Sequence, residues 1–205
     1  MDQKTDTVDY PKVEESLAGT IEYMESIDNS YDLLKYCNEI VIKFDSNPTI
    51  GKLDLQAIKS VSDPSVPVLN QFTFPIIMKH GLMKLNDFKS PLDAITLFES
   101  LKSKSLHTFI LGCGIKNYNK YIELQWSCFQ DITKILNILE DLKINGIQGD
   151  LETEEILTTI KDEYADLLTE DSLTKSETFI WSERNEEDLK KLKKYIEDLS
   201  LYSSL

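Results

Sequence analysis

The stretch Gly112-Cys113-Gly114 comes nearest to a chemical motif. A cysteine becomes a nucleophile when a base activates its thiol, and His80 and His107 are the two histidines of the sequence. If residues 108–115 form a strand, His107 lies about 20 Å from Cys113 along it, so that only His80 could reach the thiol. We favour the alternative, a buried cysteine whose flanking glycines allow close backbone packing.

The same glycines do not make a phosphate-binding loop. Asn117 stands where the dinucleotide fingerprint has its third glycine, and a strand-like run follows instead of a helix that could hold phosphate at its amino end. A zinc site would need four of the five available soft ligands, and none has the close pair spacing of structural sites: Cys37, Cys113, Cys128, His80 and His107. An Asp-rich calcium loop is missing as well. We therefore expect neither a metal nor a cofactor.

Acidic residues dominate the charge of the chain. The sequence has 36 acidic and 22 basic residues, a net charge of −14, and residues 150–205 hold 16 of the acids and 7 of the bases. Arg184 is the one arginine, so the guanidinium forks that bind phosphate and guanine are nearly absent. A negative field also repels nucleic-acid backbones. We expect no direct nucleic-acid binding, and the acidity indicates either a solvated surface or attraction to a basic protein.

Two neighbouring groups in the acidic third are candidate partner-binding residues. Phe179, Ile180 and Trp181 lie between polar flanks, and exposed aromatic residues of this kind anchor protein interfaces. The alternative is that these three residues fill the domain's own core or form an edge strand. The second group is acidic and would attract a basic partner: Glu186, Glu187 and Asp188.

Several segments have the apolar periodicity of helices. One is predicted to begin at Ser90-Pro91, with the serine as cap and the proline in the first helical position, and Ser90→Ala should cost about 1 kcal/mol. Its apolar residues are Leu92, Ile95, Phe98 and Leu101. A later helix should bury Phe129, Ile132, Ile135, Leu136, Leu139 and Leu142. Similar stripes lie in residues 13–27, 156–168 and 189–199.

Two other segments alternate with a period of two and predict hairpins. The first pairs residues 40–44 with 53–57 across a turn-rich stretch. The second pairs residues 106–115 with 121–126 across Lys116–Lys120, whose two asparagines tolerate left-handed turn conformations. Residues 61–89 fit either strands or a helix.

Together these patterns predict an α+β fold: an antiparallel or mixed sheet from two hairpin units flanked by helices. Asn145–Asp150 breaks the chain, so we expect a core domain of residues 1–149 and an acidic helical extension of residues 150–205. For function we expect a non-catalytic protein-binding subunit or adaptor of a multiprotein complex. The alternatives are an acidic escort for a basic protein and, with less support, a cysteine-dependent enzyme.

The start of the sequence and its cysteines suggest a compartment. Residues 1–6 have neither the apolar region of a secretory signal nor the Arg-rich bias of a transit peptide. The three cysteines are an odd number without paired spacing, as expected in a reducing compartment. Apolar runs fall short of the roughly 20 residues that span a bilayer. We expect the cytosol or the nucleus, and no membrane.

Overall fold

The computed structural model describes the backbone of residues 8–167 and 183–203, and those residues form helices without any strand. Eleven helices follow one another in these two ranges: α1 (Tyr10–Ser16), α2 (Ala18–Glu25), α3 (Ser30–Ser46), α4 (Leu55–Lys59), α5 (Thr73–Asp87), α6 (Pro91–Lys102), α7 (Leu106–Gly112), α8 (Ile115–Phe129), α9 (Ile132–Ile144), α10 (Leu151–Leu167) and α11 (Glu183–Ser203). The predicted α+β fold is therefore wrong.

The first predicted hairpin lies in α3 and α4. The alternation of Ile40, Ile42 and Phe44 does not indicate a strand, because Ile42 is exposed while its neighbour Val41 is buried. The buried residues of α3 instead return every three or four positions, as on one face of a helix: Leu33, Cys37, Ile40, Val41 and Phe44. Alternating apolar residues occur both in a strand and in a short piece of a buried helical face. Over the full length of α3 the buried residues follow the helical period.

The second predicted hairpin lies in α7 and α8. Tyr121 and Gln125, which the alternation assigned to a polar face, are both buried. Apolar and polar positions of this segment are buried together, and the exposed residues Lys116, Glu123 and Ser127 return at helical spacing on the other side of α8. Asn117, predicted in the turn, instead donates a hydrogen bond from Nδ2 to the carbonyl of Gly112 at 2.8 Å.

The predicted helix at Ser90 is confirmed, and its cap is not. α6 begins at Pro91, but the hydroxyl of Ser90 makes no capping hydrogen bond. The expected loss on Ser90→Ala is therefore withdrawn. Its first turn also faces outward, since Leu92 is exposed, and the buried stripe is Ala94, Leu97, Phe98 and Leu101.

The undecided region, residues 61–89, contains a helix. α5 starts at Thr73, so Pro75 falls in its first turn, where a backbone N–H has no helical partner to lose. Asn70 satisfies this end of the helix, because its Oδ1 accepts hydrogen bonds from the amides of Phe72 and Thr73.

The chain forms two compact units, and the amino-terminal unit runs to Asn117. Its core holds the rings of Phe44 and Phe74, which stack with centroids 4.1 Å apart. Gly81 and Gly112 let its helices approach closely. A Cβ atom on Gly81 would lie 2.7 Å from Sγ of Cys37.

The carboxyl-terminal unit begins at Tyr118 and contains most of α8 together with α9, α10 and α11. Asn119 contacts Thr153 and Trp126 contacts Glu163, so α8 and α10 run in the same direction. α11 runs against α10, because Ser200 near its end contacts Glu154 near the start of α10.

The break predicted at Asn145–Asp150 is present. α9 ends at Ile144, and Gly146 adopts a positive φ of 67°, which favours glycine. This break lies inside the carboxyl-terminal unit, which groups residues 118–149 with the helices that follow. The division into a core domain of residues 1–149 and an acidic extension of residues 150–205 stays a prediction.

Candidate functional site

Cys113 has the surroundings of a structural cysteine. It lies buried at the carboxyl end of α7, and burial raises the pKa of its thiol to about 12. A nucleophilic cysteine needs the opposite shift. His80 on α5 is engaged elsewhere, with Nε2 2.6 Å from Oε1 of Glu14 on α1. His107 is exposed on α7, so the strand-based distance from Cys113 does not apply.

The flanking glycines differ in role. A Cβ atom on Gly112 would lie 2.9 Å from Cδ2 of Leu101 and 3.1 Å from Cε1 of Phe74, so this glycine permits close packing. Around Gly114 nothing lies within 4 Å of such an atom. The packing interpretation of the motif thus holds for the first glycine.

Metal ligands do not converge in the described ranges. No group of three or more His, Cys, Asp or Glu side chains that could hold a metal ion occurs in residues 8–167 and 186–201. Cys37 and Cys113 are buried and Cys128 is half-buried. Burial also raises the pKa of Cys37 to about 12.

The predicted partner-binding residues divide into three cases. Phe179, Ile180 and Trp181 lie outside the described residues. Glu186 and Glu187 are exposed on α11. Their neighbour Asp188 is only 4% exposed.

Asp188 stabilises the carboxyl-terminal unit. Its carboxylate accepts a hydrogen bond from Oγ1 of Thr133 at 3.1 Å and pairs with Nζ of Lys191 at 2.9 Å. The first contact joins α11 to the first turn of α9. Partner binding through this residue stays a prediction, but the carboxylate already has contacts within the unit.

A groove lies between α8 and α10 in this unit. It has a volume of about 440 Å³. Its lining residues come from both helices: Glu123, Trp126, Glu152, Glu155, Ile156, Thr159 and Ile160.

Buried polar contacts hold one end of the groove. Oγ1 of Thr153 donates to Oδ1 of Asn119 at 2.7 Å, and Nδ2 of Asn119 donates to Oδ1 of Asp150 at 2.9 Å. Asp150 also accepts from the backbone amide of Thr153 and so caps the start of α10. Asn119 and Thr153 are almost fully buried, so these bonds fix the spacing of the two helices.

An aromatic contact holds the other end. Nε1 of Trp126 donates to Oε2 of Glu163 at 2.6 Å, and its ring meets Tyr164 edge-on with centroids 6.1 Å apart. Burial, with smaller contributions from Asp188 and Asp131, raises the pKa of the Tyr164 phenol, which therefore stays neutral. The tryptophan is thus locked in one orientation beside the groove.

The groove joins an apolar floor to an acidic edge. Trp126 and Ile160 are buried, and Ile156 is partly exposed. Glu152 and Glu155 are exposed on α10, and Glu123 on α8 pairs with Lys120 at 3.0 Å. Such a surface can take apolar side chains from a partner that also carries positive charge.

The amino-terminal unit has a groove of similar size and different chemistry. Its volume is about 450 Å³ and its lining is mostly polar: Tyr23, Ser26, Ile27, Asp28, Asn29, Asp32, Lys35, Tyr36 and Glu39. The side chain of Asn29 is occupied at the start of α3, where it accepts from the amide of Asp32 and donates to that residue's carboxylate.

Sequence reasoning missed the groove between α8 and α10 because it treated half of it as a strand. The signal was present in the spacing of Tyr118, Tyr121, Ile122 and Gln125, which is helical and leaves Glu123 and Trp126 on an adjacent side. In the described part of the chain, no helix combines the length and the apolar character needed to cross a membrane.

The chain is similar in sequence to two proteins that are named as mitochondrial translation factors. Over 173 residues it is 25% identical to mitochondrial translation factor 2 of Saccharomyces cerevisiae, a match that covers 76% of this chain and 39% of that protein. Over 79 residues it is 28% identical to mitochondrial translation factor 2 of Schizosaccharomyces pombe, covering 38% of this chain and 25% of that protein. The matches thus span less than half the length of either relative. No solved structure matches.

These names contradict the expected cytosolic or nuclear location. That expectation came from six residues at the start of the sequence and from the cysteines, and both relatives are named as mitochondrial proteins. A reducing environment and three unpaired thiols do not distinguish these compartments. The sequence profile of the Mtf2 family matches residues 11–202, nearly the whole chain, and the chain belongs to this family.

Proposed function

We propose that this chain acts in mitochondrial translation as a non-catalytic factor that binds another protein. The observation that carries the proposal is the family match over residues 11–202, together with relatives named mitochondrial translation factor 2. The groove between α8 and α10 supports the protein-binding part, because it offers an apolar floor with a fixed tryptophan.

The charge of the chain favours a protein partner over RNA. A net charge of −14 with a single arginine gives little attraction to a phosphate backbone. Glu186 and Glu187 are exposed and remain proposed partner-binding residues. Phe179, Ile180 and Trp181 are proposed on their sequence alone.

A non-catalytic role agrees with the surroundings of the thiol that came nearest to chemistry. Cys113 is buried, and its raised pKa keeps it protonated at physiological pH. His80 contacts Glu14. Nothing in these contacts would activate the sulfur.

The test is translation in isolated mitochondria. Cells of the source organism are depleted of the protein, and incorporation of labelled amino acid into mitochondrially encoded products is measured with and without the restored full chain. We expect incorporation to fall on depletion and to return with the wild-type chain. Incorporation unaffected by depletion would overturn the proposal.

Two variants test the absence of catalysis. Cys113→Ala and His80→Gln should both restore incorporation once their expression is matched to the wild type. Circular dichroism of each purified variant controls for folding. A folded Cys113→Ala chain that fails to restore incorporation, beside a His80→Gln chain that fails too, would support an enzyme instead.

A further inference from the structure

We infer, building on the proposed protein-binding function, that the groove between α8 and α10 binds a lysine- or arginine-rich segment of a partner protein through apolar anchor residues. The partner is thereby defined by two chemical properties. It must bring apolar side chains for the floor and positive charge for the edge. Each property comes from a separate feature of the groove.

The apolar requirement comes from the floor. The groove volume of about 440 Å³ lies in the range of pockets that bury small ligands, so it takes a few side chains and not a whole domain. Trp126 is only 5% exposed and forms a rigid base under the floor, because its indole N–H is held by Glu163 and its ring by Tyr164. The surface open to a partner comes mainly from Ile156 and Thr159. A floor whose side chains are already ordered loses little entropy on binding.

The positive charge is required by the edge. Glu152 and Glu155 are exposed on α10. Glu152 lies one helical turn before Ile156, and Glu155 lies one turn before Thr159. On the opposite side Glu123 adds a third carboxylate, partly balanced by Lys120. These carboxylates would repel an acidic or phosphorylated segment, whereas a basic one gains from them.

The contacts at its two ends preserve this shape before a partner arrives. Asn119 and Thr153 hold α8 to α10 at one end of the groove, and Trp126 with Glu163 holds them at the other. A preformed groove avoids the loss of affinity that accompanies rearrangement. We therefore expect binding without a change in helix content.

The experiment uses the full chain and a defined probe. The probe is a synthetic, fluorescein-labelled amphipathic peptide with lysine on one helical face and leucine on the other, and binding is followed by anisotropy at low salt. Two comparison probes are the same peptide with glutamate in place of lysine and a single-stranded RNA oligonucleotide. We expect the lysine peptide to bind and the other two to bind at least about tenfold more weakly.

Matched variants locate the site. Thr159→Trp should fill the groove and weaken binding by about tenfold or more, whereas Thr159→Ser keeps the wild-type affinity. Glu155→Lys should weaken binding by about tenfold, since it reverses a charge at the edge. Glu39→Lys makes the same reversal at the groove of the amino-terminal unit and should change the affinity less than about twofold.

Three outcomes would overturn the inference. One is no binding of the lysine peptide by a folded chain that still restores mitochondrial translation, which leaves the proposed function intact. Another is that Glu155→Lys and Glu39→Lys weaken peptide binding equally, which would mean that binding depends on the overall charge of the chain and not on the groove. The third is RNA binding that Thr159→Trp abolishes, which would assign the groove to nucleic acid. Failure of the proposed function would be seen in a different experiment, as mitochondrial translation that does not change when the protein is depleted.

Discussion

The two units hold their helices together by different means. In the amino-terminal unit the fully buried contacts named above are apolar or use glycine, as where Gly81 meets Cys37 and Phe44 stacks on Phe74. Polar contacts between its helices, such as His80 with Glu14 and Thr108 with Asp45, are only partly buried. In the carboxyl-terminal unit, buried polar side chains join separate helices, as with Asn119 and Thr153 or Asp188 and Thr133.

Because of this difference, we expect the two cores to be sensitive to different kinds of substitution. A core packed through glycine tolerates changes in polarity at its surface but not changes in volume inside it. A core joined by buried hydrogen bonds is most sensitive to losing a single partner, because the other is left without compensation. The groove with a proposed partner belongs to the second kind of unit, where helix spacing depends on polar contacts.

Removing aromatic volume from the amino-terminal unit should have the largest effect. Phe74→Ala deletes a fully buried ring stacked on Phe44, and we expect a loss of about 3–5 kcal/mol in the free energy of unfolding. Urea unfolding followed by circular dichroism measures it. Phe74→Leu is the matched control and should lose less than half as much. Equal losses for both variants would contradict a core that depends on volume.

Breaking the polar contact in the carboxyl-terminal unit should come next. Asn119→Leu keeps the size of the side chain but removes partners from Thr153 and Asp150, and we expect a loss of about 1–3 kcal/mol. Asn137 is exposed on α9, so Asn137→Leu should change the stability little. If the two substitutions cost the same, the buried hydrogen bonds do not determine the stability of this unit.

A double-mutant cycle sharpens the comparison at the glycine contact. Gly81→Ala places a methyl group 2.7 Å from Sγ of Cys37, and we expect a net loss of about 1–2 kcal/mol after the gain in helix propensity. Cys37→Ala makes room, so in the double variant the added methyl group should no longer destabilise. Gly51→Ala, with nothing within 4 Å of the new atom, is the control. Strict additivity would argue against a steric contact.

The smallest effect should be a pH-dependent one at Asp45 on α3. Hydrogen bonds from the side chain of Ser105 and from the Thr108 hydroxyl at 2.8 Å, with a smaller contribution from the Ser105 amide at 3.0 Å, lower the pKa of this carboxyl. A folded-state pKa below the unfolded one adds stability that is fully present above the unfolded value of about 3.9 and is lost as the pH falls through the folded value.

The Asp45→Asn variant tests this contribution. Its stability should fall below that of the wild type near neutral pH, and the difference should vanish in acid. Unfolding midpoints in urea at pH 7 and near pH 3 give the comparison. A difference that stays constant with pH would mean that the charge of Asp45 does not contribute.

Sequence patterns located several helices and misassigned others for physical reasons. α6 and α9 have one buried face, so their apolar residues mark the helical period and their starts carry Pro91 and Asp131. α8 is buried on most sides, and its mixture of apolar and polar residues happens to alternate over residues 121–126. The exposed face of α8 is narrow, with Lys116, Glu123 and Ser127 at helical spacing, and the alternation over six residues hides this longer period.

The candidate site was harder to predict than the helices. Its residues come from α8 and α10, which are separated along the chain by α9, and pairing them requires knowledge of tertiary contacts. The sequence predicts that Glu152 and Glu155 are exposed, but no sequence pattern indicates that they lie near Trp126. A hydrogen bond such as the one from Trp126 to Glu163 leaves no local pattern.

The position of α11 has a consequence for the order in which this protein folds. Its contacts with α9 and α10 join residues 55 and 46 positions apart, whereas the two contacts at the ends of the groove span 34 and 37 positions. A ribosome makes α11 after every residue of the groove, and distant contacts form more slowly because longer loops must close. The groove can therefore assemble on the nascent chain before the bundle around it is complete.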